Sequence, residues 1–373
     1  MFIRVDKKTL LEALLPALCA VSNRSTVAAL ECIYLNADDA SSTLTITGFD
    51  INKGLKTEIP ATVLEKGGLL LEGHKLASII RSLPDYEVTI QNDNRYITTI
   101  SCQKSKFEIS GMSSESFPSL PELSGDRGFT VSQGLLKKMI SQVIFSYSLS
   151  DAKPVLTGIL FDLSNGKLRL CSCDSFRISI STEDFKDSKM KDESFIVPGK
   201  TLTELYKLID NDEEETVKVE LSRKHIIFSI GNLIFFSRLI EGSFFDYEKA
   251  LPKVFKTYAT FNINDAVSAI ERSALIIDER AKSPIKFIVE NNSIRITCST
   301  VNGRIDEEFD AEIEGEDMTL GFNHRFLIDA LKGAMVSGDE KVTVELNSPL
   351  SGMIIRPTEH ERYYYMILPV RLN

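Results

Sequence analysis

No stretch of the 373 residues approaches the roughly 18–20 apolar residues that a membrane helix needs. The opening MFIRVDKKTLLEALL has no small-residue cleavage site and no clean apolar core, so it is not read as a secretory leader. A cytoplasmic protein with no membrane contact is expected. Cysteine and histidine are scarce, at six and four. Cys19, Cys32, Cys102, Cys171, Cys173 and Cys298 are scattered through apolar segments, not spaced as a disulfide framework, and burial is their expected role. His74, His225, His324 and His360 show no ligand spacing. The chain also lacks a phosphate loop, a GxSxG elbow, an HExxH pair and a tight acidic cluster. Asp174 and Asp246 have no partner in their local sequence and read as turn carboxylates. These absences argue against catalysis, and no metal or cofactor is expected.

Positive charge is short as well. Lys and Arg number 43 against 53 Asp and Glu, a net charge of −10. Taken alone, that balance argues against nucleic acid, whose phosphates want a basic face. The length exceeds one ordinary core and suggests two or three domains.

What the chain does have is one unit written three times. The segments LLLEGHKLASIIRSL, SFIVPGKTLTELYKLI and LGFNHRFLIDALKGA each run from a short apolar strand through a turn and a basic residue into an amphipathic helix. The basic residues Lys75, Lys200 and Arg325 fall at equal intervals of 125. An earlier amphipathic helix recurs in VDKKTLLEALLPALCAVS, VSQGLLKKMISQVIFSYS and FNINDAVSAIERSALII, and paired strands follow each. The last apolar strand of the third unit is the tail YYYMILPV, so the C-terminal run reads as a paired strand and not a frayed end. Units of about 125 residues are domain-sized. The boundaries are placed at 1–125, 126–253 and 254–373. The expected class is α+β, with two helices on antiparallel sheet in each domain. Three copies meeting head to tail, with two chains meeting the same way, would close a six-domain ring.

The repeat answers the objection from charge. The six segments read as helical (6–24, 72–83, 132–148, 199–210, 264–277 and 324–336) hold twelve Lys/Arg and eight Asp/Glu, so the helices are net positive and the strands and loops carry the net negative charge. Lys and Arg also simply favour helices. The sharper reading is a ring with basic helices inside and acidic sheets outside. It would encircle DNA through phosphate contacts blind to sequence.

Five stretches carry a family pattern: KPVLTGILFDLSNGKLRLCSCDSFRIS, FIVPGKTLTEL, RLIEGSFFDYEKALPK, LGFNHRFLIDAL and the terminal LPVRL. Together, in this order and inside a three-fold repeat, the chain resembles the sliding clamps of bacterial replicative DNA polymerase, its beta subunit, along essentially its whole length. The resemblance implies a head-to-tail homodimer around double-stranded DNA, without enzymatic activity. It implies tethering of the polymerase catalytic subunit and placement on DNA by an ATP-dependent clamp loader. Other replication and repair proteins would dock through short peptides, typically glutamine followed by apolar residues.

Carried over by position, the peptide pocket would be formed by Leu156, Cys173, Ser175, Phe176, Arg177 and Ile178, by Phe245, Lys249 and Ala250, and by Met366, Leu368, Pro369, Val370, Arg371 and Leu372. An Arg of this set, Arg177 or Arg371, would meet polar groups of the peptide. The family pattern has Gly-His where this chain has Ser175-Phe176, Pro at Phe245 and Met at Val370, and an additional Asn373 follows the last Leu. Two intruding Phe side chains predict a shallower groove. DNA contacts are expected at Arg24, Lys75, Lys153 and Lys200, the last at a helix start where a cation is unfavourable unless an anion offsets it. Phe107 and Ile109 are expected to meet Leu275 and Ile276 across the dimer contact. The altered pocket leaves a clamp-fold paralogue with different partner binding as the alternative. A hydrolase on a repeated scaffold would need a motif the chain lacks.

Overall fold

The computed structural model describes residues 1–185, 192–277, 283–301 and 303–372; Asn302 and Asn373 lie outside them. The first repeat runs β1 (Phe2–Asp6), α1 (Lys7–Ala17), β2 (Cys32–Asp38), β3 (Thr43–Phe49), β4 (Lys53–Pro60), β5 (Thr62–Glu65), β6 (Gly67–Glu72), α2 (Gly73–Ser82), β7 (Glu87–Asn92), β8 (Ile97–Cys102), β9 (Ser105–Ser110) and β10 (Met112–Ser113). The second runs β11 (Arg127–Ser132), α3 (Gln133–Val143), β12 (Gly158–Ser164), β13 (Lys167–Cys173), β14 (Arg177–Asp184), β15 (Glu193–Pro198), α4 (Gly199–Leu208), β16 (Thr216–Leu221), β17 (His225–Ile230) and β18 (Leu233–Arg238). The third runs β19 (Thr257–Asn262), α5 (Ile263–Ala274), β20 (Ile285–Glu290), β21 (Ser293–Thr300), β22 (Gly303–Gly315), β23 (Met318–Phe322), α6 (His324–Met335), β24 (Lys341–Leu346), β25 (Met353–Pro357) and β26 (Tyr363–Ile367).

The repeated helices start where the sequence supplies caps. Asp6 Oδ1 accepts from Thr9 N at 2.9 Å, Glu72 accepts from His74 N and Lys75 N, and Asn262 and Asn323 do the same for α5 and α6. Each helix then buries one stripe. On α5 the buried residues Ile263, Ala266, Val267 and Ile270 follow the i, i+3, i+4, i+7 spacing. Two helices are shorter than their patterns predict. The segment read as 6–24 is α-helical only to Ala17 before a 3-10 turn through Ala20, and the segment 132–148 stops at Val143 before a turn through Ser146. Final turns tighten in this way where the next residues must leave extended, as Val21 and Tyr147 do.

The chain forms two compact units that do not follow the repeats. The first comprises 1–133, 207–209 and 213–239; the second comprises 134–206, 210–212 and 240–373. In the first unit, one sheet has the order β5-β1-β7-β8-β9 and the other the order β10-β6-β2-β3-β4-β18-β17-β16-β11. β4, from the first repeat, pairs antiparallel with β18 from the second. Helices α1 and α2 pack together in this unit. The second unit has a sheet ordered β15-β12-β13-β14-β26-β25-β24-β19-β22-β21-β20-β23. There β14, from the second repeat, pairs with β26 from the third. Helices α5 and α6 cover a core that includes Phe261, Phe287, Phe322, Tyr363 and Tyr365. The C-terminal run is therefore a central, buried strand. It is bonded on one side to β25 and on the other to β14.

Candidate functional site

Within the second unit, the turn from β13 to β14 builds a corner. Asp174 Oδ1 accepts from Phe176 N at 3.0 Å and Arg177 N at 3.1 Å, an Asx-type turn. Ser175 takes φ +76°, a left-handed conformation that reverses the chain there. Asp174 Oδ2 accepts from Arg177 Nε at 2.9 Å. Arg177 Nη1 donates to Asp329 Oδ2 on α6 at 2.6 Å, and Nη2 donates to the Phe145 carbonyl. The guanidinium lies 4.3 Å from the centre of the Phe326 ring. Its side chain is only 11% exposed, so its donors are spent on the protein itself. Arg177 pins the corner to α6.

Beside this corner lies a groove of about 410 Å³, lined mainly by apolar side chains. Leu156 and Val155 come from a 3-10 turn at Pro154–Thr157, Cys173 and Ile178 from the facing ends of β13 and β14, and Met366 from β26. Leu368 joins them because its N–H donates to the Phe176 carbonyl at 2.9 Å, carrying the edge past the strand. Ser243, Phe245 and Ala250 close the far side. That connection is held by buried Tyr247, whose hydroxyl accepts from Arg169 at 2.9 Å. Burial raises the Cys171 and Cys173 thiols, so both stay protonated as small apolar groups.

Nine of the fifteen positions carried over for the pocket line this groove: Leu156, Cys173, Ser175, Arg177, Ile178, Phe245, Ala250, Met366 and Leu368. The other six lie outside this cavity. Phe176 does not fill the groove. The reversal at Ser175 turns it outward, 60% exposed and stacked on Phe326 with ring centres 6.4 Å apart. Lys249 is at the surface, its ammonium 2.7 Å from Asp246. Beyond Leu368 the tail turns away. Val370 N donates to Gly321 O on β23 at 2.8 Å, and Val370, Arg371 and Leu372 line a separate concavity with Lys286, Thr297 and Arg304. A Cβ on Gly321 would sit 2.5 Å from Val370 O, so only glycine lets the tail lie this close. Pro369 belongs to this departing tail and does not line the groove. Lys153, expected to meet DNA, lies on the groove's rim, where the turn beginning at Pro154 places it. The sequence reading missed Lys153, Val155 and Ser243 as lining residues.

The first unit contains the same junction, packed with aromatic side chains. Asp50 and Lys53 repeat the Asp174–Arg177 pair at the same spacing, and Ile51 repeats the left-handed Ser175 at φ +76°. Here, however, the tip of the Phe236 ring on β18 lies against Gly54, whose Cβ would meet it at 2.1 Å. Phe49 lies 5.8 Å from Phe236 and 6.3 Å from Phe117, and Leu120 and Leu123 complete the plug. Aromatic fill closes one junction. At the other, Cys173, Ile178 and Met366 are too slim to fill the space.

The chain matches three family models in succession: DNA polymerase III beta subunit, N-terminal domain over residues 1–121, central domain over 130–246 and C-terminal domain over 248–371. The chain belongs to the DNA polymerase III beta subunit family. Similar curated proteins include the beta sliding clamps of Bacillus subtilis, 29% identical over 98% of both chains, and of Staphylococcus epidermidis, 30% identical over 94% of both. A crystal structure of the Bacillus subtilis clamp superposes with a TM-score of 0.94 at 28% identity, covering 100% of each chain. A Pseudomonas aeruginosa sliding clamp bound to griselimycin gives 0.91 at 26% identity, again over 100% of each chain.

For a beta subunit the placement of the basic residues matters. Arg24, Lys75 and Lys200 are exposed, and none makes an ion pair with another described residue. Asn23, next to Arg24, is tied to His74 on α2 by a 3.0 Å contact between Oδ1 and Nε2, which holds that loop beside the start of α2. Glu72 already caps α2 there, so part of the electrostatic cost of Lys75 is met within the protein. The six helices as they stand carry eleven Lys/Arg against five Asp/Glu. No helix among the described residues is long and apolar enough to cross a membrane.

Proposed function

We infer that the chain works as a DNA sliding clamp: a non-catalytic processivity factor of the cytoplasm that encircles duplex DNA and tethers the replicative polymerase. The observation that carries this is the apolar groove at the β14–β26 junction, in a chain whose three family domains follow one another along its length. The proposed domains are 1–125, 126–253 and 254–373. An extended peptide of glutamine followed by apolar residues suits the groove. Its apolar side chains would fill the space beside Leu156, Ile178 and Met366, and the exposed strand-end backbone with Ser175, Ser243 and Lys153 would take its polar groups. The polymerase catalytic subunit, an ATP-dependent clamp loader and other replication or repair proteins would share it. The griselimycin-bound structure of the Pseudomonas aeruginosa clamp supports a ligand-binding role for the family.

Two chains would close head to tail, with Phe107 and Ile109 meeting Leu275 and Ile276. In the single chain Phe107 is 37% and Leu275 is 85% exposed, so both are accessible to a second copy. Arg24, Lys75 and Lys200 would meet phosphates from the helical side, in contacts indifferent to base sequence. The test is fluorescence polarisation with a labelled peptide of the stated composition. Leu368→Ala should weaken binding about tenfold, and Leu372→Ala should leave it within twofold. Equal loss in both variants, or in neither, would refute this groove as the docking site.

A further inference from the structure

The concavity that the tail reaches beyond the groove is built on the outer face of the third repeat's sheet. Lys286 on β20 alternates with buried Ile285 and Phe287, and Thr297 on β21 with buried Ile296 and Cys298, so both point away from the core. The registers set Gly321, Lys286 and Thr297 in one row across β23, β20 and β21, with Ser299 opposite Arg304 in the next. The tail is the remaining wall. It lies over bare Gly321, where a Cβ would come 2.5 Å from Val370 O and 2.8 Å from Leu372 Cδ2. The space so enclosed is about 560 Å³. Lys286, Arg304 and Arg371 line it, all exposed, and none makes an ion pair with another described residue. Among the described residues no carboxylate lines it. Asp306, opposite Thr297, already accepts two hydrogen bonds from Arg295. Three uncommitted cations are thus gathered on the surface of a chain whose net charge is −10.

We propose, resting on the sliding-clamp reading, that this concavity holds the acidic flank of a docking peptide whose apolar residues fill the groove. The two sites share a wall: Leu368 lines the groove, and Val370, two positions on, lines the concavity. Through the Val370–Gly321 hydrogen bond and one strand spacing, Lys286 lies within about 17 Å of Leu368, which about five extended residues span. Two or three Asp or Glu residues at that remove would meet Lys286, Arg371 and Arg304, with the Thr297 and Ser299 hydroxyls as further donors. A nucleic-acid strand suits the space less well, because its lining has no aromatic ring on which a base could stack. The net negative charge of the chain repels an acidic flank elsewhere, so the attraction belongs to this patch. Partners that share the groove are then ranked by their flanks: those with an acidic run bind tighter than those without one, with no change in the residues that enter the groove.

Fluorescence polarisation with the full chain and three labelled peptides tests this. One is the short peptide of glutamine and apolar residues; the others carry a neutral spacer and a run of glutamates before it or after it. One flanked peptide should bind about fivefold tighter than the short one, and the other should not, because only one end of a bound peptide points towards Leu368. Lys286→Glu should cut that gain to below twofold, and Lys286→Arg should keep it. The short peptide should bind alike to all three proteins, which also shows that the substitutions leave the fold intact. Rising salt should shrink the gain. No gain at either end, equal gain at both, or a gain that survives Lys286→Glu would overturn the proposal. So would a single-stranded oligonucleotide that removes the gain at lower concentration than a free acidic peptide of equal charge, since the concavity would then be a phosphate site. A short peptide that fails to bind the wild type would instead overturn the groove reading itself.

Discussion

Removing the Arg177 side chain should cost the second unit far more than the matching change costs the first. Arg177→Ala takes a donor from Asp174, from Asp329 and from the Phe145 carbonyl, and lifts a cation from the Phe326 ring. Charge-assisted bonds contribute about 1–1.5 kcal/mol each here, with the Asp329 share reduced because that side chain is 38% exposed. Adding about 0.5 kcal/mol for the ring contact gives a loss of about 3 kcal/mol. For a unit of this size that is a drop of about 6–12 °C in melting temperature. Lys53→Ala at the equivalent corner breaks one ion pair, with Asp50, and should cost about 1 kcal/mol or less. Differential scanning calorimetry of the two variants beside the wild type reads both values. Equal shifts, or a fall below about 3 °C for Arg177→Ala, would refute the view that this corner is pinned through Asp329 to α6. If the pinning holds, Asp329→Ala, outside the groove, should also weaken peptide binding severalfold.

Gly54→Ala should destabilise the first unit by about 1–3 kcal/mol in urea titrations, because its methyl would enter the buried Phe236 ring and nothing there can yield. Gly321→Ala should release the tail beyond Leu368, seen as faster hydrogen exchange at the Val370 amide, while peptide affinity stays within twofold. His225 is held below its usual value by burial and by the nearby Arg238 and Lys224 cations. In the unfolded chain it takes up its proton near pH 6.5, and the folded form resists, so stability should fall as pH drops through that value. His225→Gln should flatten that slope in unfolding curves between pH 7 and pH 5.5.

The three-fold unit was legible because its helices need amphipathic spacing and capped starts, and both are written locally in residues such as Asp6, Asn262 and Asn323. The paired strands after each first helix were legible for the same reason: alternation sets their faces. Which strands meet across repeats was not. Nothing in LIFFSR or YYYMI states that one must bond β4 and the other β14, because the hydrogen bonds that join the strands run between backbone groups every residue carries. The groove's position could be carried over by resemblance, yet the direction of its side chains could not. Phe176 points out because of the φ of Ser175, and the tail departs because Gly321 is bare, two facts of backbone geometry. The anchoring of Arg177 was not legible because its partner Asp329 lies 152 positions away.

The central claim is topological, so the most direct measurement is retention on DNA by form. The chain would be loaded with its clamp loader and ATP onto a nicked circle and passed through a gel-filtration column in moderate salt, before and after the circle is cut. The account predicts that protein elutes with the closed circle and is lost from the linear DNA made from it. Equal retention on both forms would contradict a ring that encircles DNA and point to ordinary surface binding.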